Sequence, residues 1–208
     1  MPKVSGSTDN KHQARTKETQ ARILDAAQAL FADQGFEKTQ LEEVAARAGY
    51  TRGAIYAHYS SKEDLFLALM EQRVYSKFGS LLIDLENEPD LKKRPVIFKQ
   101  WLARQIADHS WGTLTLEFKL YALRRPSSRE KLKHLYQFVL KAAGKDLVEL
   151  LFGKGLSRAA RSAVERRLSV VGAALSALIL ESHFRPDLFP DNQLKTIAEE
   201  LIDSLLHT

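Results

Sequence analysis

The sequence predicts an all-α fold, and three observations carry that reading. Apolar residues recur at helical spacing through most of the chain, and no run alternates with the two-residue period of a strand. The clearest breaks fall at Arg125-Pro126, at Gly153-Lys154-Gly155 and at Arg185-Pro186 to Pro190, between periodic segments.

Residues 1–16 are polar and carry Lys3, Lys11 and Arg15, so they read as a disordered basic arm. Two readings of the arm stand: it orders on a nucleic acid, or it is a solvated tail. The first helix is expected from Lys17 to Gln34, with Ile23, Ala26, Ala27, Leu30 and Phe31 on one face and Gly35 as its stop. Phe36 then folds back onto the same core. Thr39-Gln40-Leu41-Glu42 has the form of a capping box and starts a second helix, whose inner side is Leu41, Val44, Ala45 and Ala48. Gly49 closes it. Thr51 can cap a very short third helix that turns Ala54 and Ile55 inward. Ser60-Ser61-Lys62-Glu63 offers another cap, and the fourth helix continues past Met70, Val74 and Phe78 toward Leu85. Helix, helix, tight turn, helix within so short a stretch is a helix-turn-helix domain, placed at residues 17–62.

Residues 63–208 form a second, all-helical domain. Asn87 to Pro95 reads as a surface loop, and helices are expected near Val96–Asp108, Gly112–Leu123, Ser128–Phe152, Leu156–Ser182 and Asn192–His207. The helix around Leu168 to Leu180 is apolar almost all round, and the last helix carries a clean stripe. A helix apolar on several sides needs cover on several sides. Leu168, Val171, Leu175, Leu178, Leu194, Ile197, Leu201 and Leu205 are therefore the candidate homodimer interface, because no later helix remains to cover them and two-fold dimers are the commonest homo-oligomers. A fully buried central helix in a monomer is the alternative.

The chemistry of the short third helix is distinctive. It exposes Arg52, Tyr56 and His58, Lys62 follows at the next helix start, and no carboxylate occurs between Val44 and Ser61. A small, cationic, hydroxyl-rich helix on an apolar support suits reading of base edges in the major groove of DNA. Arg52 can grip guanine O6 and N7 with its planar fork, or hold a phosphate. Gly53 leaves room for a close approach. Lys62 in the first turn of a helix works against the dipole, and a phosphate would reverse that. The overall charge, +5 in 208 residues with a pI of about 9.3, permits such a partner without requiring it.

Other classes are excluded or weak. Cysteine is absent, which removes disulfides, thiolate catalysis and thiolate-bound zinc. There is no Ser-His-Asp spacing, no His-x-x-x-His pair and no acidic metal pattern, so no enzyme activity, metal or cofactor is expected. No signal-peptide core and no apolar run of membrane-spanning length occur, so a cytoplasmic protein with no membrane partner is expected. A helical protein-interaction module is the competing reading.

The residues Ala26-Ala27-x-x-Leu30-Phe31-x-x-x-Gly35-Phe36, Thr39-x-x-x-x-Val44-Ala45-x-x-Ala48-Gly49 and Arg52-Gly53-Ala54-Ile55-Tyr56-x-His58-Tyr59-x-x-Lys62-Glu63-x-Leu65 resemble the DNA-binding domain of TetR-family transcriptional regulators. Glu117-Phe118-x-Leu120-Tyr121-Ala122-Leu123-Arg124 is similar to a segment seen in many members. The resemblance implies about nine helices and a homodimer on a double-stranded DNA operator with two half-sites. It further implies a C-terminal ligand pocket and, by default, a repressor released by a small, largely apolar effector. By position it assigns Thr51, Arg52, Tyr56, His58 and Lys62 to DNA, with a partly buried core histidine as the alternative for His58; Thr39, Gly53 and Tyr59, the last part core and part phosphate contact, complete the candidate DNA set. Trp101, His109, Trp111, Glu117, Phe118 and Tyr121 are the candidate ligand residues, each of the aromatics being equally at home in a plain core.

Overall fold

The computed structural model describes residues 6–106, 108–140 and 146–206, which hold ten helices and no strand. They divide into two compact units, Met1–Met70 and Glu71–Thr208.

The first unit contains α1 (Gly6–Lys38), α2 (Leu41–Ala48), α3 (Arg52–Tyr56) and the first residues of α4 (Lys62–Asn87). Helix α1 begins at Gly6, eleven residues before the expected start. The expected disordered arm is thus helical from residue 6 onward, and residues 1–5 lie outside the described part. The physical reason is local: Lys11, Gln13, Ala14, Arg15, Lys17 and Glu18 are good helix formers with no proline among them. At the other end Gly35 has φ 81° and ψ 171°, a conformation nearly confined to glycine. It bends the chain so that Phe36 returns to the core and stacks on Phe31 at 5.6 Å. Phe66 of α4 meets both rings edge-on, at 5.4 and 5.2 Å. Ile23, Ala27, Val44, Ile55 and Leu65 complete a core that is sealed from solvent.

The cap of α2 differs by one residue from the expected one. Gln40, not Thr39, takes the N-cap position and forms the reciprocal box with Glu43. Thr39 is instead buried, and its hydroxyl donates to the Gly35 carbonyl at 2.7 Å. The inner side of α2 is Leu41, Val44, Ala45 and Ala48, as the spacing predicts, and the helix ends on a left-handed Gly49. Thr51 caps α3 by accepting from the Ala54 amide at 3.3 Å. Ser61 caps α4 by accepting from the Asp64 amide. The first unit extends to Met70 because Leu65, Phe66 and Leu69 are buried, eight residues past the boundary expected from sequence.

The second unit holds the rest of α4, then α5 (Arg94–Gln105), α6 (His109–Leu123), α7 (Pro126–Leu140), α8 (Leu147–Phe152), α9 (Arg158–Phe184) and α10 (Asp191–Leu206). The single helix expected over Ser128–Phe152 is two. Asp146 caps α8 through the Glu149 amide at 3.1 Å, and Arg161 of α9 bonds the same carboxylate. That capping carboxylate sets a new helix start that apolar periodicity does not reveal. Two cores result. Phe78, Leu81, Leu82 and Leu85 of α4 pack with Phe98, Trp101, Leu147 and Leu151. Ala103 and Ile106 pack with Val171, Leu175, Leu178 and Ile179 of α9 and with Leu194, Ala198 and Ile202 of α10.

The second core corrects the expected interface. Val171, Leu175, Leu178 and Leu194 are buried within the chain's own fold; Ile197, Leu201 and Leu205 pack against that core, and Leu168 packs against the first. On α9 the cover comes from α10, a later helix, and from α6, while α5 packs on α10. Among the described residues, no helix is long and apolar enough to cross a membrane, and no cluster of three or more His, Asp or Glu is placed to hold a metal ion.

Where α6 crosses α9, a β-carbon added at Gly112 would lie 2.7–2.8 Å from two side-chain carbons of Ile179, whereas one added at Gly79 in α4 would meet nothing. Gly112→Ala should therefore lower stability by about 1–3 kcal/mol. Gly79→Ala should raise it by about 0.5–1 kcal/mol through helix propensity alone. Urea-unfolding midpoints measure both; equal shifts would remove the α6–α9 contact as the cause.

Candidate nucleic-acid interface and internal cavity

Helix α3 is held from below and open above. Ile55 anchors it in the core, while Thr51, Arg52, Gly53 and Tyr56 are exposed and Ala54 is partly so. The Arg52 guanidinium is 63% exposed and pairs through Nε with Glu42 of α2 at 2.9 Å. It also donates to the Tyr56 hydroxyl at 3.4 Å and lies 5.3 Å from that ring's centre. The Tyr56 hydrogen bond, then Glu42, push its already high pKa up, so it is a permanent cation. The carboxylate-free stretch of sequence thus acquires a carboxylate neighbour in space. The pair is solvated, and such pairs are weak and exchange readily with a competing anion. A β-carbon at Gly53 would meet only the Thr51 hydroxyl at an ordinary 3.9 Å, so the protein's own packing does not require glycine there. His58 follows α3 in the turn, half-buried, its ring 6.3 Å from that of Tyr59.

Three of the expected DNA residues are placed otherwise. The Thr39 side chain is 1% exposed and committed to the Gly35 carbonyl. Tyr59 is 7% exposed, and burial raises its phenol above the usual tyrosine range. The Lys62 ammonium donates to the carbonyls of Glu37 (2.8 Å) and Thr39 (3.0 Å) and sits 4.8 Å from the centre of the Phe36 ring. These carbonyls offset the unfavourable position of a cation at a helix start. Sequence reasoning missed Tyr50: its phenol is held below the usual tyrosine range by hydrogen bonds with Thr19 and Arg22, which ties α1 to the turn before α3. No periodicity signals that contact.

The second unit holds a cavity of about 550 Å³ that is partly open to solvent, with Ser169, Gly172 and Ala173 exposed at its α9 side. Phe78 comes to it from α4, Phe98, Trp101 and Leu102 from α5, Lys119 from α6, Tyr136 from α7 and Leu147 from α8; α9 supplies Leu168, Ser169, Gly172 and Ala173. Of the six expected ligand residues only Trp101 lines it, and its indole N–H already donates to the Lys77 carbonyl at 3.2 Å. Phe118 is 1% exposed core, stacked on Tyr121, whose ring in turn carries the Arg125 guanidinium at 3.6 Å. The Trp111 ring lies under Arg73 at 4.3 Å, and Arg73 also bonds Asp108. His109 faces Asp191 at 3.8 Å and His183 at 5.4 Å between rings. Glu117 is partly exposed and does not line the cavity.

Lys119 was the overlooked residue. From Trp111 to Leu123, α6 contains two charges, Glu117 and Lys119, in an otherwise apolar or uncharged run, and that isolation was the available signal. Its ammonium contacts the Ser176 hydroxyl at 3.4 Å and lies 6.0 Å from the centre of the Tyr136 ring.

Residues 23–69 match the model for bacterial regulatory proteins of the tetR family. The chain is 48% identical over 61 residues to the HTH-type transcriptional regulator AcrR of Shigella flexneri, covering 29% of this chain and 28% of that one. It spans between about a fifth and about half of the length of the curated relatives it matches. Over nearly the whole chain it is similar in fold to a transcriptional regulator from Saccharomonospora viridis in complex with choline, with a TM-score of 0.64, 18% identity and coverage of 90% and 96%. FadR from Bacillus subtilis in complex with stearoyl-CoA is similar too, with a TM-score of 0.56, 18% identity and coverage of 90% and 99%. Residues 23–69 thus form a helix-turn-helix domain of the TetR family of bacterial regulatory proteins.

Proposed function

We propose that the chain is a homodimeric, effector-controlled transcriptional repressor that docks α3 in the major groove of two operator half-sites. The observation that carries the reading is the exposed Arg52–Gly53–Tyr56 surface of α3, mounted on a sealed aromatic core and lacking any packing reason for its glycine. Arg52 reads a base edge after exchanging Glu42 for the DNA. Thr51 and Tyr56 contact backbone or a thymine methyl, and His58 stands at the margin. Thr39, Tyr59 and Lys62 act from beneath, fixing the height and tilt of α3 rather than touching DNA.

The dimer surface we infer is the outer stripe of α9. Val170, Ala173, Ala177, Leu180 and Phe184 follow a three-four spacing along the helix and are all exposed, Phe184 by 74%. An exposed apolar stripe of this kind marks an association surface, and a two-fold pair would bury it against itself. The effector site is the cavity in the second unit. Phe78, which lines it, and Lys62, which holds the carbonyls beneath α3, lie on the same helix α4. A ligand that favours one arrangement of that helix over another alters operator affinity by its differential binding.

Fluorescence anisotropy with the promoter beside the protein's own gene tests the DNA reading. Arg52→Ala should weaken specific binding by about 1–3 kcal/mol and relax one base position; unchanged selectivity would remove Arg52 from base readout. Gly53→Ala should stabilise the fold by about 0.5–1 kcal/mol and yet weaken operator binding, a split that a purely structural glycine could not give. Lys62→Ala should cost about 1 kcal/mol of stability and leave the salt slope of DNA binding unchanged. A slope reduced by about one would return Lys62 to a phosphate. Leu180→Glu should convert the dimer to a folded monomer in sedimentation velocity and abolish tight operator binding. A dimer that survives it would move the interface off α9.

A further inference from the structure

The cavity is largely apolar, and Lys119 is the one charged residue among those that line it. Phe78, Phe98, Trp101 and Leu102 supply ring and aliphatic surface, and Trp101 has its one donor already engaged. Against them stands the Lys119 ammonium. Its hydrogen-bond partner is the Ser176 hydroxyl, which itself donates to the Gly172 carbonyl at 2.8 Å and so meets Lys119 as an acceptor. An ammonium has three donors, and among the described residues no carboxylate lies within ion-pair distance of this one. Burial pulls its pKa below the usual lysine value, while burial of the Tyr136 phenol pushes that group up and keeps it a neutral donor beside the cation. A desolvated, unneutralised charge costs stability unless something pairs with it.

We infer that the cavity binds an amphipathic organic anion, with its carboxylate-type head on the Lys119 ammonium and its apolar body among Phe78, Phe98, Trp101 and Leu102. The inference rests on the reading of this cavity as the effector site and names the class of effector. The volume, about 550 Å³, lies in the range of pockets that enclose a whole small ligand. Charge complementarity selects the head: a cationic ligand would bring like charges together, and a neutral one would leave Lys119 uncompensated. Tyr136 lines the same cavity, its ring centre 6.0 Å from the ammonium. Fold neighbours that hold choline in one case and stearoyl-CoA in another argue that the shared fold leaves ligand charge open, so this chain's own cation decides it.

The test is calorimetric titration of the full-length protein with two acid–alcohol pairs, dodecanoate with dodecanol and 2-naphthoate with 2-naphthylmethanol. In at least one pair the acid should bind about tenfold or more tighter than its alcohol. Lys119→Met should erase that preference while the alcohol still binds, and Lys119→Arg should keep it. The Met variant removes a desolvated cation and so should melt no lower than the wild-type protein, which separates lost recognition from lost folding. Acid and alcohol binding equally to the wild-type protein, or an acid preference that survives Lys119→Met, overturns the inference and leaves the cavity as a ligand site. No binding of any of the four probes, with operator binding intact in the same preparation, overturns the inference together with the effector reading of the cavity.

Discussion

The first unit depends on one bend. Gly35 takes a conformation that a side chain would strain, and through it Phe36 turns back to join Phe31 and Phe66. The three rings close the space between α1 and the first turns of α4. Lys62 then lies over the outer face of the Phe36 ring and bonds the Glu37 and Thr39 carbonyls that the bend leaves exposed. Thr39 binds the carbonyl of Gly35 itself. Backbone groups freed by the bend thus find partners from two directions, as unpaired carbonyls near a helix end must. A helix as short as α3 has no stability of its own. Its attitude is set by Ile55 in this core and by the Thr51 cap.

That dependence explains which parts of the interface were legible in the sequence. Periodicity found the inner face of α2 without error, because a buried face is a pattern along a single helix. The Thr51 cap and the glycine stop at Gly49 were legible for the same local reason. For Thr39, Tyr59 and Lys62 the sequence does not show the partners each has within the chain: the Gly35 carbonyl for the first, the core for the second, the Glu37 and Thr39 carbonyls for the third. A polar residue beside an exposed helix looks alike in sequence whether it faces outward or clamps a carbonyl from behind. Arg52 shows the converse. Its stretch of sequence is free of carboxylates, yet Glu42 of α2 reaches it.

The second unit was read less well, and the reason is again non-local. The apolar excess of α9 was correctly noticed, but excess alone does not say which neighbour covers which side. Helices α10 and α6 pack on α9, whose Val171, Leu175 and Leu178 are buried together with Ala103 and Ile106, and the stripe left over is Val170, Ala173, Ala177, Leu180 and Phe184. The two sets lie on nearly opposite sides of one helix, and periodicity on a helix apolar all round does not say which side its own domain covers. The cavity lining was legible only in part, Trp101 being the expected ligand residue that reaches it. Aromatic residues draw attention as ligand contacts, yet Phe118, Tyr121 and Trp111 are spent on internal stacking and on arginine faces. The residue with the sharpest chemistry was the lysine between two of the apolar positions.

A cation in that position is informative because the fold could do without it. Methionine or leucine at 119 would fill similar space and carry no desolvation cost, and buried charges are kept mainly where a partner compensates them. Ser176 compensates only in part: one neutral acceptor at 3.4 Å satisfies one of three donors. The remaining interaction energy is available to whatever enters, and it is stronger than the same contact would be in water because the cavity walls are apolar. The stabilisation that an entering anion gives the folded state grows with its concentration relative to its dissociation constant. Only the part that differs between operator-competent and operator-incompetent states changes DNA binding. On the effector reading proposed above, Phe78 is the lining residue that lies on α4, the helix whose first turn carries Lys62.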